Sequence, residues 1–167
     1  AQLEILEQYF YDINQFNRLP KNNTEYSDMV TLIREKIAAL EVNNFKLWKI
    51  PGVKSTFYKP PNLYKLGSIR AQYGDVQKPV ELVTGKELAA MQLSPLTIPS
   101  EANPIYTTGV DSDGREIYVL SPFQKLIRLD YIKIPSPPRW GFTIVGERAM
   151  YNPDRTIDFE LHPSESA

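Results

Sequence analysis

The sequence predicts an α+β fold, an N-terminal antiparallel helix pair followed by a mostly antiparallel β domain. Two observations carry this. Within the first 40 residues apolar side chains recur at three- and four-residue steps, whereas later segments alternate with a period of two. Of the 14 prolines, only Pro20 precedes residue 50, so the punctuation of short strands and turns begins where the helical pattern stops.

Leu3, Leu6, Tyr9, Phe10, Ile13 and Phe16 form a wide, partly aromatic stripe, which predicts an amphipathic helix ending before Pro20. Asn22 as N-cap with Glu25 three residues later opens a second helix, with Tyr26, Met29, Ile33, Ile37 and Leu40 on one face. A short link between the two predicts antiparallel packing. The text turns apolar from Phe45 to Ile50 and breaks at Pro51 and Gly52. A boundary is expected there, dividing the chain into a helical region, 1–50, and a β-rich region with one short helix, 51–167.

Residues 53–83 mix aromatic and β-branched positions with Pro60, Pro61 and Pro79, as short strands of a twisted sheet do. Thr84 and Glu87 have capping-box spacing and open a helix through Met91. Residues 105–110 and 116–120 flank Asp111, Ser112, Asp113 and Gly114, which predicts a hairpin. From Ile127 to Ile134 the alternation changes phase after Tyr131, predicting a half-buried strand with a bulge or a sheet crossing. Pro135, Pro137 and Pro138 lack ladder donors, so pairing should stop and the chain run extended to Trp140. Pro163, Ser164 and Glu165 read as a helix start, and the native product is expected to continue past Ala167.

Composition bounds the function. At 167 residues a real core is available. No apolar run approaches the ~20 residues of a membrane span, so a soluble protein without membrane partners is expected. Lysine plus arginine number 19 against 20 acidic residues. The resulting charge of −1 gives no broad positive field to hold nucleic acid, and no specific nucleic-acid partner is expected. Zero cysteines exclude disulfides, thiolate catalysis and cysteine-type zinc sites. The opening Ala1, Gln2, Leu3, Glu4 has no basic region leading into an apolar one, as a secretory leader would, so a cytosolic protein fits.

One stretch carries a resemblance. Tyr131, Ile132, Lys133 and Pro135, then Pro138, Trp140, Gly141 and Phe142, then Ala149, Tyr151 and Asn152, and finally 158–165, form a C-terminal signature. It resembles that of virion structural proteins of tailed bacteriophages, particularly the crAss-like phages. The likeness is confined to this tail and is looser before it. It implies a ring or adaptor component of the neck, stacked between portal and tail. A homo-oligomeric ring of twelve copies, contacts to the portal or to neighbouring neck and tail proteins, and assembly into the virion in the bacterial cytoplasm are what the resemblance implies.

Chemistry-bearing constellations are sparse. Asp111, Asp113 and Gly114 fall short of a calcium loop, which needs a further ligand and a later bidentate glutamate, and a turn is the stronger reading. His162 is the single histidine, so packing or capping is expected of it rather than metal binding. Thr84, Gly85 and Lys86 lack phosphate-loop spacing, and Gly67 with Ser68 does no better. Asp154, Asp158 and Glu160 could act as paired carboxylates only if the fold converged two of them, and a solvated face is the simpler reading. No catalytic residue, metal ligand or cofactor is expected, and the protein is read as non-enzymatic. Phe57, Tyr58, Tyr64 and Tyr73, interleaved with Lys54, Lys59, Lys65 and Arg70, could line a carbohydrate or nucleic-acid surface, or simply pack a small sheet. Trp48, Phe57, Tyr58, Tyr64 and Trp140 are the candidate interface or anchor residues. A small ligand- or carbohydrate-binding module is the alternative function.

Overall fold

The computed structural model describes residues 2–18, 24–53, 55–122 and 124–162, and the architecture is α+β with the helix pair first. Asn22, Lys54 and the expected helix start at 163–165 lie outside the described residues, as do the side chains of Glu25 and Tyr26. The elements run α1 (Gln2–Arg18), α2 (Thr24–Ala38), β1 (Glu41–Trp48), β2 (Thr56–Tyr58), β3 (Leu63–Tyr73), β4 (Val76–Pro79), β5 (Glu81–Leu82) and α3 (Gly85–Gln92). Then come β6 (Ile105–Val110), β7 (Glu116–Ser121), β8 (Leu126–Lys133), β9 (Phe142–Val145), β10 (Arg148–Tyr151) and a 3-10 turn, Pro153–Arg155.

Two compact units divide the chain, 1–41 with 134–167, and 42–133. The cut does not follow the boundary expected at residue 50. The segment from Phe45 to Trp48 belongs to β1, a strand of the central unit, and the C-terminal stretch groups with the helices.

In the first unit, Leu6 of α1 and Ile33 and Ile37 of α2 are buried, with Leu40 just after, as the helical stripes require. Leu3 and Met29, at the ends of those stripes, are exposed. The Lys36 ammonium lies 5.4 Å from the centre of the Tyr9 ring and ties the helices together. The start of α1 is held by the C-terminal stretch. With its amide oriented to satisfy both groups, Gln2 donates to the Ser136 carbonyl (3.0 Å) and accepts from the Glu160 amide (2.9 Å).

The central unit holds two four-stranded sheets, ordered β1-β8-β3-β4 and β2-β7-β6-β5. Both contribute to one core, with Ile69, Ile127, Leu129 and Tyr131 from the first and Phe57, Tyr106, Tyr118 and Leu120 from the second. β6 and β7 form the predicted hairpin. In its loop the Asp111 amide donates to the Arg115 carbonyl and the Gly114 amide to the Asp111 carbonyl, with Gly114 at φ 77°. β5 and β6 pair in parallel, so the chain between them must cross over, and α3 lies in that crossover. Its capping box forms as the spacing predicts, Thr84 accepting from the Glu87 amide while the Glu87 carboxylate accepts from Thr84.

The bulge expected in β8 is displaced onto its partner. β8 keeps Ile127, Leu129 and Tyr131 buried and ends at Lys133, before the phase change can matter. The two register shifts fall in β3, at Tyr64 and Gly67. A Cβ on Gly67 would stand 2.9 Å from the Asp130 carbonyl oxygen, so the bulge brings two backbones closer than any side chain permits.

Candidate interaction surface

After β8 the chain runs without regular structure past the prolines, and Arg139 makes an isolated antiparallel bridge with Ile157. The β9–β10 hairpin rises from this base. Its turn is Gly146 and Glu147, both at positive φ (57° and 66°), the backbone of a type I′ turn. The register pairs Phe142 with Tyr151 and Ile144 with Ala149. Because side chains alternate along a strand, these four share one face, while Thr143, Val145, Arg148 and Met150 occupy the other.

The base is pinned by short polar contacts. The Gly141 amide donates to Thr156 Oγ1 (3.1 Å), the Thr156 hydroxyl donates to the Asn152 carbonyl (2.8 Å), and the Asn152 amide donates to the Gly141 carbonyl (2.9 Å). Asn152 is used at four of its groups. Its side-chain oxygen also accepts from the Asp154 amide (3.0 Å), capping the 3-10 turn, and its Nδ2 donates to Thr143 Oγ1 (2.9 Å). Gly141 is buried, and a Cβ there would lie 2.5 Å from the Arg155 carbonyl carbon. No residue but glycine fits.

Above this base, the Phe142 face is apolar and open. Trp140 stacks on Phe142 with ring centres 5.7 Å apart and planes 28° apart, extending the stripe by one residue. Trp140 is 61% exposed and Ile144 69%, and Phe142 and Tyr151 are also exposed. The face formed by Trp140, Phe142, Ile144, Ala149 and Tyr151 carries no charge. A two-stranded hairpin is at best marginally stable in water, and an antiparallel sheet ordinarily covers one face. Within this chain both faces of β9–β10 are exposed to solvent.

The expected candidates fall in different places. Phe57 is fully buried in the core of the central unit and acts as a packing anchor there, unavailable to an external partner. Tyr58 is half-buried, its hydroxyl donating to Asp111 Oδ2 at 3.3 Å and its ring 5.4 Å from the Arg115 guanidinium. Tyr64 lines a cleft of about 600 Å³ with Leu66, Leu82, Tyr106, Val110 and Ile117, whose rim carries the Lys59–Glu116 ion pair. Trp48 is 69% exposed at the end of the edge strand β1. Neither tryptophan is a core residue. The alternation around Gly146 and Glu147, with Phe142 to Val145 before and Arg148 to Tyr151 after, is the signal from which β9–β10 could have been read.

The polar groups of the central unit serve its fold. Asp130 accepts from Ser68 Oγ (2.7 Å), the Asn44 amide (2.8 Å) and Arg70 (2.5 Å). Burial pushes its carboxyl up, but these hydrogen bonds and the Arg70 charge outweigh burial and hold it below the usual carboxylate range. Burial, with Tyr106 and Glu116 nearby, pushes the Tyr118 phenol up to about 12. Asp111 Oδ1 accepts from the Ser112 amide (2.7 Å), so that carboxylate closes its own turn. Glu160 accepts from the Ser136 hydroxyl (3.1 Å). His162 lies beside Gln2, Leu6 and Pro135 in the first unit. Among the described residues no three histidine, aspartate or glutamate side chains gather as a metal site would require. No helix among them is long and apolar enough to cross a membrane.

Compared with protein-family models and with curated proteins, the chain matches none.

Proposed function

We propose that the chain is a non-enzymatic structural protein of a phage virion, a ring-forming component of the neck or head–tail connector that works by contact with other subunits. The observation that carries the reading is the uncharged, solvent-exposed Trp140–Phe142–Ile144 face on a hairpin too small to be stable unaided. Such a face favours a protein partner over a small ligand, because it offers exposed aromatic anchors on a two-stranded hairpin, with the Trp140 indole N–H and the Tyr151 hydroxyl as its polar side-chain groups. The tail resemblance supplies the virion setting, with twelve copies, the portal and neighbouring neck proteins as the partners it implies.

The alternative, a small ligand- or carbohydrate-binding module, draws on the cleft beside Tyr64, whose volume lies within the ~300–1,000 Å³ of small-molecule sites. Light scattering of the purified protein followed by imaging separates the two. Large oligomers with annular particles, alone or beside portal and neck proteins, support the ring. A strict monomer that forms no annular density with those partners, but binds a sugar saturably, supports the module instead.

A further inference from the structure

The outer face of the sheet β1-β8-β3-β4 carries a row of like charges. Ile69 and Ala71 of β3 and Ile127 and Leu129 of β8 turn into the core, so Arg70 and Arg128, which lie between them, turn outward. The register sets these two arginines directly opposite each other. Such a placement holds the Cβ atoms about 4.5–5.5 Å apart and is destabilising for like charges. β1 adds a third cation. The Lys49 amide donates to the Lys125 carbonyl, which brings Lys46 level with Arg128 on the other side of β8. Leu47 packs against the core, so Lys46 beside it faces outward as well.

The partners of these cations hold them in place without neutralising them. Arg128 donates from Nε to Gln72 Oε1 (3.2 Å) and from Nη1 to Asn44 Oδ1 (2.9 Å), and both acceptors are neutral amides. Arg70 Nη2 donates to Asp130 Oδ1 (2.5 Å), a carboxylate that Ser68 and the Asn44 amide share. Arg70 Nε is buried with no hydrogen-bond partner, so this guanidinium has more donors than the chain supplies acceptors. Set against the Asp130 carboxylate, the three cations leave two positive charges on the row. The row is open to solvent, with Lys46 exposed and the Arg70 side chain 32% exposed.

We propose that Lys46, Arg70 and Arg128 form a binding site for inorganic phosphate or a phosphate monoester, a function separate from assembly that stands whether or not the chain forms a ring. Charge selects the ligand. A phosphate monoester carries about −1.5 to −2 at neutral pH and offsets both excess charges, whereas a carboxylate or a phosphodiester leaves one cation uncovered. Geometry agrees, because guanidinium forks match phosphate oxygens in pairs. Gln72, Asn44 and Asp130 fix both forks before the anion arrives, so little side-chain freedom is lost on binding. An arginine pair that opposes the stability of the empty sheet is the kind of local conflict that proteins keep at functional sites. The chain's net charge of −1 confines the attraction to this row.

Calorimetric titration of the full chain with inorganic phosphate tests the site, with ionic strength held constant so that general screening does not change. The expected result is saturable uptake of one phosphate per chain, at least tenfold weaker in Arg128→Gln. Lys46→Gln, a change at an exposed position, should keep the fold and weaken uptake at least threefold, so the test survives if Arg128→Gln folds poorly. Phosphate should also raise the melting temperature of the natural chain and leave that of Arg128→Gln unmoved. Acetate and a single-stranded oligonucleotide without a terminal phosphate are titrated in parallel. Acetate binding as tightly as phosphate would overturn the assignment in favour of a carboxylate. Oligonucleotide binding without uptake of inorganic phosphate would overturn it in favour of a nucleic-acid backbone. No saturable uptake of phosphate, or uptake unchanged in both variants, would remove the site altogether.

Discussion

Gly141 shows how one residue without a side chain sets the geometry of a whole surface. Its backbone donates and accepts within the Thr156–Asn152 cluster, and the space where a Cβ would sit is filled by the Arg155 and Thr156 backbone. Gly141→Ala must push one backbone away from the other. Overpacking of this kind costs typically about 1–3 kcal/mol, and the contact with main chain rather than a pliable side chain places it at the upper end. Hydrogen exchange should show accelerated exchange at 142–151 while β3 and β8 stay protected. Asp130 makes a different kind of prediction, through its titration. A carboxyl held low in the folded state stabilises it above the unfolded pKa, about 3.9, and that contribution is lost as pH falls through the folded pKa. The melting temperature of Asp130→Asn should therefore lie below that of the natural chain at neutral pH, and the gap should narrow below about pH 4. Tyr118 mirrors it at the alkaline end. Its stabilising contribution is present below about 10, the unfolded pKa, and is lost as pH rises through the folded value of about 12, which ultraviolet titration against Tyr118→Phe would register.

At the scale of elements, what was legible in the sequence is what local chemistry determines. The α1 stripe ended before Pro20, the Thr84–Glu87 spacing became a complete capping box, and Asp111 to Gly114 became the β6–β7 loop. Strands whose existence depends on a distant partner were harder to read. β1 has the burial of an outer strand and exists because β8 pairs with it, and the β3 bulge at Gly67 responds to the Asp130 backbone. The phase change after Tyr131 was visible but led to the wrong strand, since the mismatch between β8 and β3 was absorbed where Gly67 permits close approach. α3 supplies a clean test of the local rule. With no residue of its own buried, it gains little from packing and depends on its N-terminal cap. Thr84→Ala removes the acceptor for the Glu87 amide and should cost about 1 kcal/mol, read as a lower melting temperature with the β-sheet core signature intact.

Across the whole molecule, burial separates residues that hold the fold from residues left for partners, and this was the part of the candidate surface that sequence could not resolve. Phe57 and Trp140 look alike as large aromatics near prolines, yet one is sealed between sheets and the other stands in solvent. Only the tertiary arrangement tells them apart, because both positions satisfy the same alternation. Trp140 was expected to be an interface or anchor residue, its removal lowering folding stability or blocking assembly. At 61% exposure its intramolecular contribution reduces to the stack on Phe142, worth about 0.5–1.5 kcal/mol. Of the two outcomes, loss of assembly is therefore the one to expect. Trp140→Ala should shift the melting temperature only slightly while weakening assembly, since an aromatic at the centre of a contact contributes far more once water is excluded. Fluorescence gives an independent readout. Both tryptophans are exposed, so the dilute protein should emit at long wavelength, and in a Trp48→Phe background the Trp140 emission should move to shorter wavelength as concentration drives association. A Trp140 emission that stays red across the range where light scattering shows oligomers forming would place the contact elsewhere on the molecule.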